Sequence, residues 1–249
     1  LVDFMRELRA ALGPHDLLSI DVTPGDPAYD LARLGKIADA VILMAYDEHE
    51  ETSAPGPIAS TSWFAGVVDQ ARALVPADRL VAGIGSYCYD WQRRDGRTIH
   101  AEPLGFEAAM ERAANGTTPT FDDESGGSRF TYADHEVWCG DALSAHNQQK
   151  TLAARGLARW ALWRAGSEDP SLWSTSLGSI AAPEAPSVHG SGDGWIMTTP
   201  PRTGERDVVL ASNGSVQSAI YRVVPRARAF ERRGGNARRE VVLTFDDGP

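Results

Sequence analysis

Long apolar runs are absent from this sequence, and cysteine is scarce. The longest apolar run covers residues 40–46, far short of the roughly 20 residues that a membrane-spanning helix needs. The two cysteines, Cys88 and Cys139, are too few for a disulfide framework or a cysteine-rich metal cluster. They form a bond if the fold brings them together, and buried free thiols fit the sequence equally well.

Composition and charge then narrow the class of protein. Apolar residues make up 42% and charged residues 23% of the 249 positions, which is typical of a folded globular protein. Residues 1–200 carry 15 Lys and Arg against 28 Asp and Glu, whereas residues 201–240 carry nine Arg against four acidic residues. The acidic first part argues against a nucleic acid partner. The change of sign near residue 200 predicts a domain boundary.

Helical segments alternate with short apolar strands over most of the chain. The hydrophobicity of residues 40–46 is continuous rather than alternating, which predicts a parallel strand covered on both faces. Similar strands are predicted over residues 17–22, 79–86 and 157–164, separated by helical patterns. This rhythm is typical of βαβ units and predicts an α/β fold. Residues 92–136 interrupt the rhythm and predict an insertion.

The last third of the chain has a different pattern. Residues 174–194 are rich in Ser, Ala, Pro and Gly, which is typical of a linker. Beyond them the period of hydrophobicity becomes two, and Asn213-Gly214 separates two such runs, which predicts a β-hairpin. We therefore expect a small antiparallel β module over residues 195–240 and a further strand in residues 241–249.

Three segments at the ends of predicted strands carry a family resemblance. They are Met44-Ala45-Tyr46-Asp47, residues 83–91 and residues 163–173. Together, and in this order, they resemble the chitinase-like, bacterial cell-wall branch of family 18 glycoside hydrolases. The resemblance implies that residues 1–173 form the C-terminal half of a (β/α)8 TIM barrel with an α+β insertion. Gly85 and Cys88 depart from the family pattern, which usually has Gly-x-Pro-x-Tyr-Gly in the second segment.

The resemblance also implies site residues and chemistry. Tyr46 would hydrogen-bond the acetamido group of the sugar, and Asp47 would polarise groups at the cleavage subsite. Met44, Tyr87 and Trp163 would line the substrate wall, Met44 by packing beside the site and Trp163 as an apolar floor beneath the ring. Family 18 enzymes use the substrate's own acetamido oxygen as nucleophile. The implied partner is a polysaccharide containing N-acetylglucosamine, and no cofactor is implied for the barrel.

Taken from the residues alone, each assignment has a simpler alternative. Tyr46-Asp47 after a strand also fits an ordinary turn with a surface carboxylate. Trp163 also fits a core position, since large aromatic residues dominate protein cores.

The proton donor of the family is missing from this sequence. It belongs to an Asp-x-x-Asp-x-Asp-x-Glu segment that does not occur here, and no motif supports Glu48 as a substitute. The chain begins at Leu1 within a helical pattern that resembles the helix after the acid-bearing strand. We therefore expect a piece of a longer protein, inactive by itself. The alternatives are an acid-less, lectin-like glycan-binding protein and an α/β enzyme unrelated to sugars.

The chain ends on a second resemblance. Thr244-Phe245-Asp246-Asp247-Gly248-Pro249 follows three apolar residues and resembles the first motif of NodB-type polysaccharide deacetylases. This implies that Asp246 is a catalytic base and Asp247 a ligand of a divalent, zinc-type metal. The histidine pair of that family has no counterpart here, so the metal site is incomplete. We expect a bacterial, extracytoplasmic or cell-envelope protein that joins both activities, with a membrane-anchored parent as one form.

Overall fold

A computed structural model describes residues 1–174 and 176–233 of the chain. Its five helices in these ranges are α1 Val2–Ala11, α2 Leu31–Ile37, α3 Thr61–Arg72, α4 Phe106–Ala113 and α5 Ala142–Ala153. A 3₁₀ turn covers Pro170–Trp173. The strands are β1 Ser19–Val22, β2 Ala40–Leu43, β3 Leu80–Gly85, β4 Cys88–Arg94, β5 Arg97–Leu104, β6 Thr120–Asp122, β7 Gly127–Tyr132, β8 His135–Cys139, β9 Trp160–Trp163, β10 Ser179–Ile180, β11 Ser187–Gly190, β12 Gly194–Thr199, β13 Gly204–Leu210, β14 Val216–Val223 and β15 Ala229–Arg233.

A four-stranded parallel sheet forms the centre of the first part. Its order is β1-β2-β3-β9, and each neighbouring pair runs parallel. All six residues of β3 are buried, as continuous hydrophobicity predicts for a strand covered on both faces. Leu34, Phe64 and Val68 from α2 and α3 join Ile84 of β3 in the main core. The predicted α/β arrangement with parallel strands is confirmed.

The insertion leaves this sheet between β3 and α5. Its strands belong to an eight-stranded sheet of order β10-β13-β14-β6-β7-β8-β4-β5, in which the neighbouring strands are antiparallel. Cys88 and Cys139 stand directly opposite each other on β4 and β8 and form a disulfide bond. The interpretation of the two cysteines as free thiols is therefore wrong.

The strands beyond residue 174 lie in two different sheets. The predicted hairpin is confirmed as β13 and β14, and these strands continue the sheet of the insertion. Strands β11, β15 and β12 form a separate three-stranded sheet. The proposed domain boundaries stay a prediction, but strands on both sides of residue 174 share one sheet.

Residues 174–194 differ from the expected linker because they contain β10 and β11. Strand β10 pairs with β13, and Ile180 is fully buried in the core of the insertion with Phe106, Met110 and Tyr221. This buried side chain and the pairing with β13 hold the short strand against the core. The composition of the segment hides that single residue among Ser, Ala and Pro.

In the ranges described, 1–174 and 176–233, none of the helices has the length and apolar character needed to cross a membrane. The predicted strand at residues 241–249, with Asp246 and Asp247, lies outside the described residues.

Candidate functional site

The carboxyl ends of β2, β3 and β9 bring the predicted site residues together. Tyr46 and Asp47 follow β2, Tyr87 follows β3, and Trp163 ends β9. Because parallel strands have their carboxyl ends at one edge of the sheet, side chains at these positions meet there. The rings of Tyr46 and Trp163 stack, with centroids 6.1 Å apart, and Tyr87 meets Tyr46 edge to face at 6.3 Å. Met44 is half-buried on the same strand end.

Asp47 is held in an unusual backbone conformation. Its φ is 63°, in the left-handed region that asparagine and aspartate adopt more readily than most residues. The Tyr87 hydroxyl donates a hydrogen bond to its Oδ1 atom. The chain therefore turns after β2, as the simpler alternative predicts. The turn also holds the Asp47 carboxylate against the Tyr87 hydroxyl, which follows the neighbouring strand β3.

The cleft around these residues has a volume of about 250 Å³. It is lined by Asp47, Tyr87, Tyr89, Pro103, Leu104, Gly105, Trp163, Arg164 and Ser167. Pro103 and Leu104 come from β5, so the insertion forms the second wall. Trp163 is 53% exposed, and its interpretation as a core residue is therefore wrong.

Burial and neighbouring carboxylates keep the phenols of the cleft protonated. Burial, and then the charges of Asp47 and Asp21, raise the pKa of Tyr46 to about 12. Burial and the hydrogen bond to Asp47 raise the pKa of Tyr87 as well. These hydroxyls therefore remain hydrogen-bond donors at neutral pH.

The pKa of the Asp47 carboxyl is also raised. Partial burial raises the pKa, the hydrogen bond from Tyr87 lowers it, and the charges of Glu50 and Glu51 raise it further. Loss of solvation outweighs the single hydrogen bond, because it disfavours the charged form of a carboxylate.

Two glycines of β3 make room for the Tyr46 ring. A Cβ atom on Gly85 would lie 2.7 Å from the Tyr46 Cβ and 3.0 Å from the Tyr87 Cε1. A Cβ atom on Gly83 would lie 2.9 Å from the Leu43 carbonyl oxygen and 3.0 Å from the Tyr46 Cε1. Sequence reasoning missed both as site residues and noted Gly85 only as a departure from the family pattern. The available signal was glycine inside an apolar strand, which often marks a close approach.

Substituting Gly85 with Ala is therefore expected to displace Tyr46. If this cleft is the catalytic site that the sequence resemblance implies, kcat of a natural, longer form of the protein should fall by up to about 100-fold, the effect of a misplacement near 1 Å. The matched control is Gly66→Ala on α3, where an added Cβ meets open space. Steady-state hydrolysis rates of both variants provide the measurement, and equal rates would contradict the role of Gly85.

The Glu48 side chain is bound to the start of α3 rather than to the residues that line the cleft. Its carboxylate accepts hydrogen bonds from the Ser60 backbone N–H at 2.5 Å and from the Ser60 Oγ at 3.0 Å. Ser60 in turn caps the N-terminus of α3. Glu48 thus ties the loop after β2 to that helix.

In the part of the chain that the structure describes, no group of three His, Cys, Asp or Glu side chains has an arrangement suited to a metal ion. Asp246 and Asp247 lie outside that part. The described residues therefore do not supply the ligand set of the expected zinc-type site.

Comparisons with known proteins agree with this geometry. Residues 1–168 match the model of the Glycosyl hydrolases family 18. The chain is 29% identical over 150 residues to the uncharacterized glycosylase YvbX of Bacillus subtilis, covering 58% of this chain and 43% of that protein. It is 29% identical over 145 residues to the cortical fragment-lytic enzyme of Bacillus subtilis, covering 54% of this chain and 34% of that enzyme. The match thus spans less than half the length of either relative. A chitinase from Chromobacterium violaceum ATCC 12472 has a similar structure, with a TM-score of 0.62, 29% identity and coverage of 69% of this chain and 58% of that one.

Proposed function

The chain belongs to glycosyl hydrolase family 18, and from this membership we propose that its cleft binds an N-acetylglucosamine polymer for hydrolysis. The work would be done by a longer protein of which this chain is a part. The convergence of Tyr46, Asp47, Tyr87 and Trp163 in one cleft is the observation that supports the proposal most.

The parallel sheet supports a half-barrel within that longer protein. Strands β1 and β9 are the two edges of the four-stranded sheet in the described residues, and a closed eight-stranded barrel has no edges. The chain also covers only part of its relatives' length. We therefore propose that an N-terminal half supplies four further strands and the acidic residue that protonates the leaving oxygen.

The residues of this chain then have definite tasks. The acetamido oxygen of the bound sugar attacks the anomeric carbon while the bond from that carbon to the leaving oxygen breaks and the leaving oxygen takes a proton. Tyr46, protonated at neutral pH, donates to the acetamido group and holds it in line. Asp47, fixed by Tyr87, stabilises the positive charge that develops next to it. Trp163 offers an exposed aromatic face as the floor beneath the sugar ring.

The relatives support a cell-wall or chitin-like substrate. One of them is a cortical fragment-lytic enzyme and another is a chitinase, so chitin and peptidoglycan glycan both remain within the proposal. We propose action outside the cytoplasm, at the cell envelope. The Cys88–Cys139 bond agrees with this, because disulfides persist in oxidising compartments.

Substrates with and without an acetamido group at carbon 2 test this function. The longest natural form of the protein is incubated with chitin oligosaccharides, with peptidoglycan glycan strands and with cello-oligosaccharides, which lack the acetamido group. We expect new reducing ends from at least one of the first two substrates and none from the third. Binding of an acetamido-containing glycan without cleavage would favour the lectin-like alternative, and the absence of binding and cleavage for both would overturn the proposal.

A second activity rests on the sequence of the chain end alone. The resemblance of Thr244–Pro249 to the first deacetylase motif favours an N-deacetylase domain after the barrel. In this proposal Asp246 is the base, and Asp247 is one ligand of a divalent metal that would activate water.

Replacing Asp246 with Asn in a protein that carries both activities is expected to abolish acetate release and leave chain cleavage intact. The reason is that a base is lost from one site while the cleft at residues 46–47 is unchanged. Acetate and reducing ends are measured in the same reaction, with Asp193→Asn, an exposed residue, as control. Loss of both activities in Asp246→Asn would contradict the proposal that acetate release and chain cleavage take place at two separate sites.

A further inference from the structure

Arg206 of β13 is buried outside the cleft and outside the residues that match the family. Its side chain is fully buried, as are those of Asp169 at 3.0 Å and Asp141 at 3.6 Å. The guanidinium also donates to the Ser171 Oγ at 2.6 Å and to the Tyr221 hydroxyl at 3.1 Å. These contacts compensate a charge that would be strongly destabilising if it were buried without a partner.

The two carboxylates that Arg206 contacts begin two structural elements. Asp141 caps α5 by accepting from the backbone N–H groups of Leu143 and Ser144. Asp169 caps the 3₁₀ turn and also accepts from the backbone N–H of Ala142 at 3.2 Å. Arg206 therefore fixes the start of α5 relative to the segment that follows β9.

Both elements lead directly into the cleft. Gly140, next to Asp141, donates its N–H to the Tyr87 carbonyl at 2.8 Å and accepts from the Ser86 Oγ at 3.1 Å. On the other side, the Ser167 Oγ donates to the Ser86 carbonyl at 2.9 Å. The Ser86 N–H donates to the Trp163 carbonyl at 2.7 Å. Ser86 is thus a buried junction between the backbones of Tyr87 and Trp163.

This junction has little room for adjustment. A Cβ atom on Gly140 would lie 2.3 Å from the Gly85 carbonyl oxygen, so the segment before α5 packs directly against the end of β3. A shift of Asp141 or Asp169 would reach Ser86 through these contacts, because closely packed groups transmit displacement.

From these contacts we infer that Arg206 is a positioning residue for the cleft. It acts through Asp141 and Asp169 on Ser86, and through Ser86 on Tyr87 and Trp163. The hairpin of β13 and β14 is then part of the unit that builds the site, although it follows the residues that match the family. Only the kinetic consequence of this inference rests on the proposed hydrolase function.

The substitution Arg206→Lys separates positioning from charge. It keeps one positive charge but cannot reproduce the planar fork that contacts several groups at once. The matched control is Arg222→Lys on β14, where an exposed arginine pairs with the exposed Asp207 at 2.7 Å. Exposed pairs of this kind contribute little.

Hydrogen exchange measured by mass spectrometry on the longest natural chain tests the inference without any activity. With Arg206→Lys we expect exchange to rise by roughly 10-fold or more in peptides covering residues 84–88 and 138–142, as local opening becomes easier. With Arg222→Lys we expect no change there. No change with Arg206→Lys, or an equal rise across the whole chain, would overturn the inference.

A double-mutant cycle with Arg206→Lys and Ser86→Ala, measured by kcat and KM, gives a second test of the positioning role. We expect Arg206→Lys to lower kcat on chitin oligosaccharides by about 10-fold with little change in KM. Its effect should not add to that of Ser86→Ala, because both act through one junction. Additive effects would overturn the inference, whereas a wild type without hydrolysis would overturn only the proposed function.

If Arg206→Lys does not fold, Tyr221→Phe, which loses the hydroxyl contacts to Arg206 and Asp141, should raise hydrogen exchange in the peptides covering residues 84–88 and 138–142.

Discussion

Replacing Tyr46 with Phe is expected to lower kcat for chitin oligosaccharides by about 100- to 1,000-fold, with KM nearly unchanged. This magnitude is typical for the loss of one preorganised donor aimed at a group that reacts. The phenylalanine ring keeps the stack on Trp163 that the tyrosine makes now. The loss is therefore confined to the hydroxyl that would hold the acetamido group.

The control for this substitution is Tyr29→Phe. Tyr29 is half-buried against the main core, lies on the segment before α2 and is not among the residues that line the cleft. Its loss of a hydroxyl should leave kcat within about twofold of the wild type, as for most substitutions away from a site. An unchanged rate for Tyr46→Phe would show that the acetamido group is held by something else.

Removing the Cys88–Cys139 bond is expected to lower the free energy of unfolding by about 3–4 kcal/mol. The two cysteines are 51 residues apart in sequence, and a cross-link over a loop of this length restricts the unfolded chain by about that amount. The double variant is Cys88→Ala/Cys139→Ala. Alanine is chosen over serine, because serine would place two hydroxyl groups in the core. The measurement is the urea midpoint of unfolding in oxidised and reduced buffer.

Reductant provides the control within the same experiment. It should destabilise the wild type and leave the double alanine variant unchanged, because that variant has no bond to reduce. Equal midpoints for the oxidised wild type and the variant would show that the bond does not stabilise the fold. Cys88 follows Tyr87 of the cleft directly in the chain. The variant is therefore also expected to hydrolyse chitin oligosaccharides more slowly than the wild type.

The parts of the fold that sequence predicts well are those set by local pattern. Residues 40–46 are apolar without interruption and residues 80–85 carry no polar side chain. Both contain parallel strands: β3 is buried throughout, and β2 buries Val41 and Leu43. Asn213-Gly214 predicts the turn between β13 and β14 correctly, because few other residue pairs suit such a turn. The position of Tyr46 and Asp47 at a strand end also follows from the same local pattern.

Contacts between segments that are distant in the chain cannot be predicted from local sequence pattern. The pairing of Cys88 with Cys139 depends on how β4 and β8 align, and no local pattern states that register. The cleft wall at Pro103 and Leu104 depends on where the insertion folds back. Ile180 joins a core whose other members come from α4, the insertion and β14, so its segment is read as a linker when taken alone.

The anomeric configuration of the first product tests the proposed mechanism most directly. Proton NMR during cleavage of a chitin oligosaccharide by the longest natural chain records which anomer forms first. Attack by the acetamido oxygen followed by water inverts the anomeric carbon twice, so we expect the β anomer of the β-linked substrate. Initial formation of the α anomer would mean direct attack by water, and would contradict the role proposed for Tyr46 and Asp47.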